Sequence, residues 1–155
     1  FFTIRDSKRR VGGEKRMVIL AVDYGKVRTG LAVSDPGERL ASPVCVIEER
    51  NSQRLAEKIA RHAEERKAGQ IVLGLPRNMD GSEGESAQNV RNFQQLLQEE
   101  SGLDVVLRDE RGTTITAHGY LNVTNTRGKK RKSTIDSVAA VIILQDYLDY
   151  RRNQR

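Results

Sequence analysis

Three acidic residues stand at the edges of three separate apolar runs: Asp23 in AVDYG, Glu110 in RDERGTT and Asp136 in STIDSVAA. Carboxylates gathered into one pocket repel each other unless a hard cation neutralises them. Mg²⁺ takes oxygen ligands and keeps waters for phosphate chemistry, so the three acids outline a metal site in a phosphoryl-transfer or hydrolytic centre. Each acid also has an ordinary reading. Asp23 fits a turn aspartate bonding the next amides, Glu110 a solvated strand end, and Asp136 a carboxylate at the third position of a helix, where it helps the cap and meets the dipole. Alternation along a strand lets only one of Asp109 and Glu110 face a shared pocket, and the residues alone leave open which.

The elements that must position these acids can be read from periodicity. Met17 to Val22 is an apolar run closed by Asp23-Tyr24-Gly25, which predicts a buried central strand. Arg28 to Ser34 predicts a second strand paired through a short turn, Asp35-Pro36-Gly37-Glu38 a tight turn, and Ala41 to Ile47 a third strand. Asn51 or Ser52 caps a helix to about Lys67, with Leu55, Ile59 and Ala63 on its apolar face. Gln70 to Leu75 predicts a fourth strand, Ser86 to Ser101 an amphipathic helix, Leu103 to Leu107 a fifth strand and Thr114 to Leu121 a short helix. Ser133 or Thr134 is the expected cap of a last helix through Tyr150, on which Asp136 shares a face with Ala139, Ala140 and Ile143. The order β-β-β-α-β-α-β-α-α implies an α/β fold. Its five-stranded sheet is mixed, antiparallel first and parallel later, with helices on both faces, as in the ribonuclease H-like architecture.

Charge narrows the class of partner. The 155 residues carry a formal net charge of +6, but residues 1–16 alone hold six basic side chains against Asp6 and Glu14. That polar segment is expected to be a disordered or non-native tail, with residues 17–155 forming one domain. Within the domain the basic excess lies after residue 107, chiefly in RGKKRK from Arg127 to Lys132, where five charges in six residues predict a mobile basic loop suited to a phosphate backbone. Arg77 adds a candidate contact after the fourth strand. Aromatic residues make up 5% with no Trp, which argues against base stacking of the single-strand-binder kind. His62 and His118 are expected at the surface. A single cysteine, Cys45, excludes an internal disulfide and a cysteine zinc site, and its apolar setting predicts a buried, unreactive thiol. No apolar run approaches the roughly 20 residues of a membrane helix, so no membrane partner and a cytoplasmic location are expected.

Taken together, LAVDYGKVRTGLAVSD, VLGLPRNMDGSEGE, DERGTT and KKRKSTIDSVAAVIILQDYL, in this order, closely resemble the YqgF (RuvX) family of ribonuclease H-like proteins. The resemblance runs from Met17 to about Asp149. Members of that family are described as pre-16S rRNA nucleases and, in older usage, as Holliday junction resolvases. It implies a metal-dependent nuclease, with Asp23, Glu110 and Asp136 as both metal ligands and catalytic residues. Two Mg²⁺ or Mn²⁺ ions are implied with substrate bound. By their charge and position, Lys129, Lys130, Arg131, Lys132 and Arg77 are the candidate phosphate contacts. The implied partners are nucleic acid, with pre-rRNA favoured over branched DNA, and ribosomal particles, the protein acting as a monomer or weak homodimer. A resolvase acting on DNA junctions and a non-catalytic RNA-binding maturation factor are the competing readings. Gly112 departs from the family, which commonly has Leu there, and a Gly at that point would loosen the aim of Glu110.

Overall fold

The computed structural model describes residues 16–76, 83–109 and 128–154, with the backbone alone described for 128–137. Five strands and three helices lie within these residues: β1 (Ile19–Asp23), β2 (Arg28–Ser34), β3 (Ala41–Glu48), α1 (Ser52–Glu65), β4 (Gln70–Leu75), α2 (Glu85–Ser101), β5 (Asp104–Asp109) and α3 (Gly128–Asn153). The sheet has the order β3-β2-β1-β4-β5. β1 pairs antiparallel with β2 and β2 with β3, while β1 with β4 and β4 with β5 are parallel. The parallel half follows from α1 and α2, which carry the chain back across the sheet between strands, whereas the short connections of the first three strands allow only hairpins.

Strand alternation divides the core in two. Leu20, Val22, Leu31, Ile71, Leu73 and Val105 pack under α1 and α2 through Leu55, Ile59, Val90, Phe93 and Leu97. The opposite set, Ile19, Ala21, Ala32 and Val72, packs against Ala140, Ile143, Leu144, Tyr147 and Leu148 of α3. The central strands are buried on both sides, which is why β1 and β4 read as unbroken apolar runs. Pro43 is tolerated because β3 is an edge strand, and the register shift between Leu31 and Ala32 falls opposite it.

Local signals set the element ends. Asn51 caps α1, its side chain accepting from the Arg54 amide at 2.9 Å. Gly102 ends α2 in the left-handed conformation, φ 69°, where a side chain would be strained. Asp35 organises the expected tight turn by accepting from the Arg39 and Leu40 amides at 2.7 and 2.9 Å, and those amides hold its carboxyl below the usual range.

Several expectations are corrected. The first strand starts two residues later than expected and takes in Asp23 as its last member. α3 begins at Gly128, not at a Ser133 or Thr134 cap, so residues 128–132 of the basic run are helical rather than a loop. Lys and Arg are good helix formers, and nothing after Gly128 breaks the helix; the crowd of like charges near the positive end of a helix dipole is what made a loop the natural expectation. Asp136 is consequently well inside α3, and the reading of it as a third-position capping carboxylate falls away. His62 and Cys45 are both half-buried, with Cys45 Sγ 3.8 Å from His62 Nε2. The Thr114–Leu121 helix, His118, Gly112 and the first fifteen residues lie outside the described residues.

Candidate functional site

Asp23 closes β1 at the carboxyl rim of the sheet. By alternation it belongs with Ile19 and Ala21, the set that faces α3. Its register partner on β2 is Gly30, and on β4 the pair Val22 with Leu73 makes Gly74 the neighbour one step on. Both glycines fall in the α3-facing sets of their strands, defined by Ala32 and Val72. The carboxylate is thus flanked on both neighbouring strands by residues without side chains, at a sheet rim of the kind where ligands bind in open α/β sheets. Gly74 was not singled out from the sequence. A Gly inside the apolar strand QIVLGL was the available signal, since Gly in a strand interior marks a close approach.

The hairpin after Asp23 is built to hold its aim. Thr29, fully buried, accepts from the Gly25 amide at 3.2 Å and donates to the Gly25 carbonyl at 3.4 Å. Tyr24, pointing to the other face, stacks on Phe93 of α2 with ring centroids 4.5 Å apart. Gly25 is required sterically: a β carbon there would stand 2.0 Å from the Arg28 carbonyl oxygen. Gly25→Ala is therefore expected to cost about 1–3 kcal/mol, read as a lower urea midpoint with an unchanged m value.

On β5, Val105 and Leu107 pack with the α1/α2 side and Val106 with the α3 side. Arg108 follows Val106, bonding Asp146 of α3 at 2.8 Å and lying over the Tyr150 ring. Asp109 belongs to the odd set, away from the face of Asp23. Glu110 and Arg77 lie outside the described residues. Position 136 falls on the helical stripe that continues through Ala140, Leu144 and Tyr147, all buried against the sheet. The side chains of Asp136, Lys129, Lys130, Arg131 and Lys132 lie outside the described residues, as does Arg127. Among the described residues no cluster of three or more potential metal-ligating side chains occurs.

α3 runs antiparallel to β1. Tyr147 donates to Gln70 Oε1 at 2.9 Å, and Gln70 is the register partner of Ile19 at the start of β1. One turn further on, Arg151 holds Glu38, which also accepts from the Met17 amide at 2.8 Å. The C-terminal cations are thus engaged at the end of the sheet opposite Asp23, Arg151 with Glu38 and Arg152 with Asp149. Glu38, the last residue of the tight turn, is buried, with φ 57°.

Cys45 carries no sign of a nucleophile. Burial pushes its thiol above the ordinary value, and the nearby Arg66 only partly opposes this. Burial, then the same arginine, lowers the pKa of His62. The thiolate is the reactive species, so labelling of native Cys45 near neutral pH is expected to be much slower than that of a free thiol. Because the folded pKa is raised, this group contributes stability that is fully present below the unfolded thiol pKa. That contribution declines as pH rises past it, since the unfolded chain ionises first.

A mixed sheet of this order, with helices on both faces and an acidic residue ending its central strand, defines a ribonuclease H-like fold. Solved structures of that fold are similar: RuvC of T. thermophilus in complex with a Holliday junction substrate, TM-score 0.56 at 16% identity over 88% of this chain and 96% of that one, and the Fowlpox virus resolvase with its junction DNA, TM-score 0.51 at 12% identity over 86% and 98%. The RuvX family, described as Holliday junction resolvase, matches residues 17–150, and the chain belongs to it. Curated relatives include proteins named "Putative pre-16S rRNA nuclease" from Agathobacter rectalis, 39% identical over 90% of this chain and 99% of the relative, and from Streptomyces avermitilis, 41% identical over 90% of each. Among the described residues no helix is long and apolar enough to cross a membrane.

Proposed function

We propose that this protein is a metal-dependent nuclease that hydrolyses RNA phosphodiester bonds in maturing the 5′ end of pre-16S rRNA. The observation that carries the reading is the setting of Asp23 at the rim of the central strand, between Gly30 and Gly74 and on the face covered by α3. Two further features support a convergent acidic site. The rise along α3 from Tyr147 back to Asp136 is about 16 Å, and the rise along β1 from Ile19 to Asp23 is about 13 Å. Since Tyr147 sits beside the partner of Ile19, position 136 lies on the sheet-facing stripe near the level of Asp23. The odd set of β5, to which Asp109 belongs, turns away from that face, and this favours Glu110 as the carboxylate of the pair.

The donor set fits a hard divalent cation, being all carboxylate oxygen with no sulfur or imidazole. Asp23, Glu110 and Asp136 would hold Mg²⁺ or Mn²⁺, which would supply activation of a water and neutralisation of charge on the leaving 3′-oxygen. Gly30 and Gly74 put no side chain beside the Asp23 carboxylate, which suits the close approach of a phosphate. The helical run Lys129 to Lys132 lies upstream of Asp136 on α3. With Arg77 it holds the strand by its phosphates, which fixes position without reading sequence. Names of the curated relatives support pre-16S rRNA as the substrate.

The description of the matching family favours a second reading, cleavage of four-way DNA junctions. Both are tested by incubating the protein with Mg²⁺ or Mn²⁺ and either a pre-16S 5′-leader RNA or a DNA junction. Trimming of the leader with the junction left intact is expected. Cleavage of the junction alone reverses the assignment, and salt-sensitive binding of RNA without cleavage leaves a maturation factor in place of an enzyme.

A further inference from the structure

On the side of β1 opposite the Asp23 carboxylate, a cavity of about 200 Å³ is lined by Tyr24, Ser52, Asn89, Asn92, Phe93 and Leu96. We infer that this cavity is a subsite for an unpaired nucleobase next to the phosphate held at Asp23, an inference that rests on the nuclease reading above. Position is the first reason. Tyr24 directly follows Asp23, their Cα atoms about 3.8 Å apart, and strand alternation turns the two side chains to opposite faces of the rim. A strand laid across the end of β1 with one phosphate at Asp23 has an adjacent base within reach of the Tyr24 side.

Chemistry is the second reason. No charged residue lines the cavity, so it suits a neutral ring rather than a phosphate. Phe93 and Leu96 supply apolar surface for a flat face, and the Tyr24–Phe93 stack makes that wall rigid. Asn89 and Asn92, one turn apart on α2, present carboxamides along one wall. Each carboxamide offers a donor and an acceptor side by side, the pairing used against base edges. Asn92 Oδ1 already accepts from Gln88 at 3.2 Å, whereas Asn89 has no side-chain hydrogen bond among the described residues and is half-buried. Asn is a poor choice for a helix interior, where it competes for backbone hydrogen bonds, and here both face the cavity.

The test is equilibrium binding of short single-stranded homopolymers rA, rC, rG and rU of equal length, followed by fluorescence anisotropy in metal-free buffer, so that binding is read without cleavage. Wild type is expected to favour one homopolymer by about tenfold. Asn89→Ala is expected to erase that preference while leaving affinity for the weakest homopolymer and the melting temperature unchanged; Asn92→Ala should reduce the preference. Equal binding of all four RNAs by wild type overturns the subsite, as does a preference that survives in both variants. A uniform loss of affinity for all four in Asn89→Ala also overturns it. Cleavage of leader RNA without any base preference removes the subsite alone, whereas a base preference without RNA cleavage removes the nuclease reading alone.

Discussion

Asp23→Asn is expected to abolish cleavage, with a loss on the order of a thousandfold, because charge neutralisation by a bound metal is worth several kcal/mol at the transition state. The substitution keeps the shape of the side chain, removes its charge and turns one acceptor oxygen into a donor, so the β1–β2 hairpin, held by Thr29 and Tyr24, should be unchanged. A second readout separates a metal ligand from a structural residue. Mg²⁺ binding to the folded state alone raises its stability by RT ln(1 + [L]/Kd), so added Mg²⁺ should raise the melting temperature of wild type and much less that of Asp23→Asn. Where the carboxylates repel in metal-free buffer, the Asn variant should be at least as stable as wild type. Retained cleavage by Asp23→Asn would falsify the proposed site, and a large drop in metal-free stability would make Asp23 a structural turn residue.

Arg151→Ala is expected to be strongly destabilising although it lies remote from the site. Glu38 is wholly buried, and its carboxylate accepts from the Met17 amide at 2.8 Å and from Arg151 at 2.7 and 3.2 Å. Removing the guanidinium takes a charged partner from a buried carboxylate, which costs about 3–5 kcal/mol in a dry site. The Arg151 side chain is 19% exposed, which favours the lower end, about 3 kcal/mol. For a chain of this size that is a fall in Tm of about 6–12 °C. The double variant Glu38→Gln with Arg151→Met should recover much of the loss, since no unpaired charge remains. A Tm within a degree or two of wild type for Arg151→Ala would show that solvent screens the pair. Cleavage, assayed well below the transition, should survive, because this clamp lies at the end of the sheet away from Asp23.

Much of this fold could be read from one chain because its periodicities are clean. β2 and β4 have the bounds expected, since the Asp35-Pro36 turn and Pro76 stop them, and of the two expected caps of α1, Asn51 and Ser52, Asn51 is the cap. The start of α3 was misread because four cations before Ser133 look like solvated loop, while backbone propensity carried the helix back to Gly128. The burial of Glu38 was not legible in the sequence, because a turn glutamate is ordinarily wet and its burial depends on Met17 and on an arginine more than a hundred residues away.

By itself the sequence determined the element order, the two-sided burial of the central strands and the candidacy of Asp23, Glu110 and Asp136. Each of these rests on local composition or on residue spacing within one element. Only the tertiary structure decided which face Asp23 takes, that Gly30 and Gly74 flank it and that Asp109 belongs to the strand set turned away from it. Those properties are relations between elements distant in sequence, fixed by strand register and by the packing of α3 across β1.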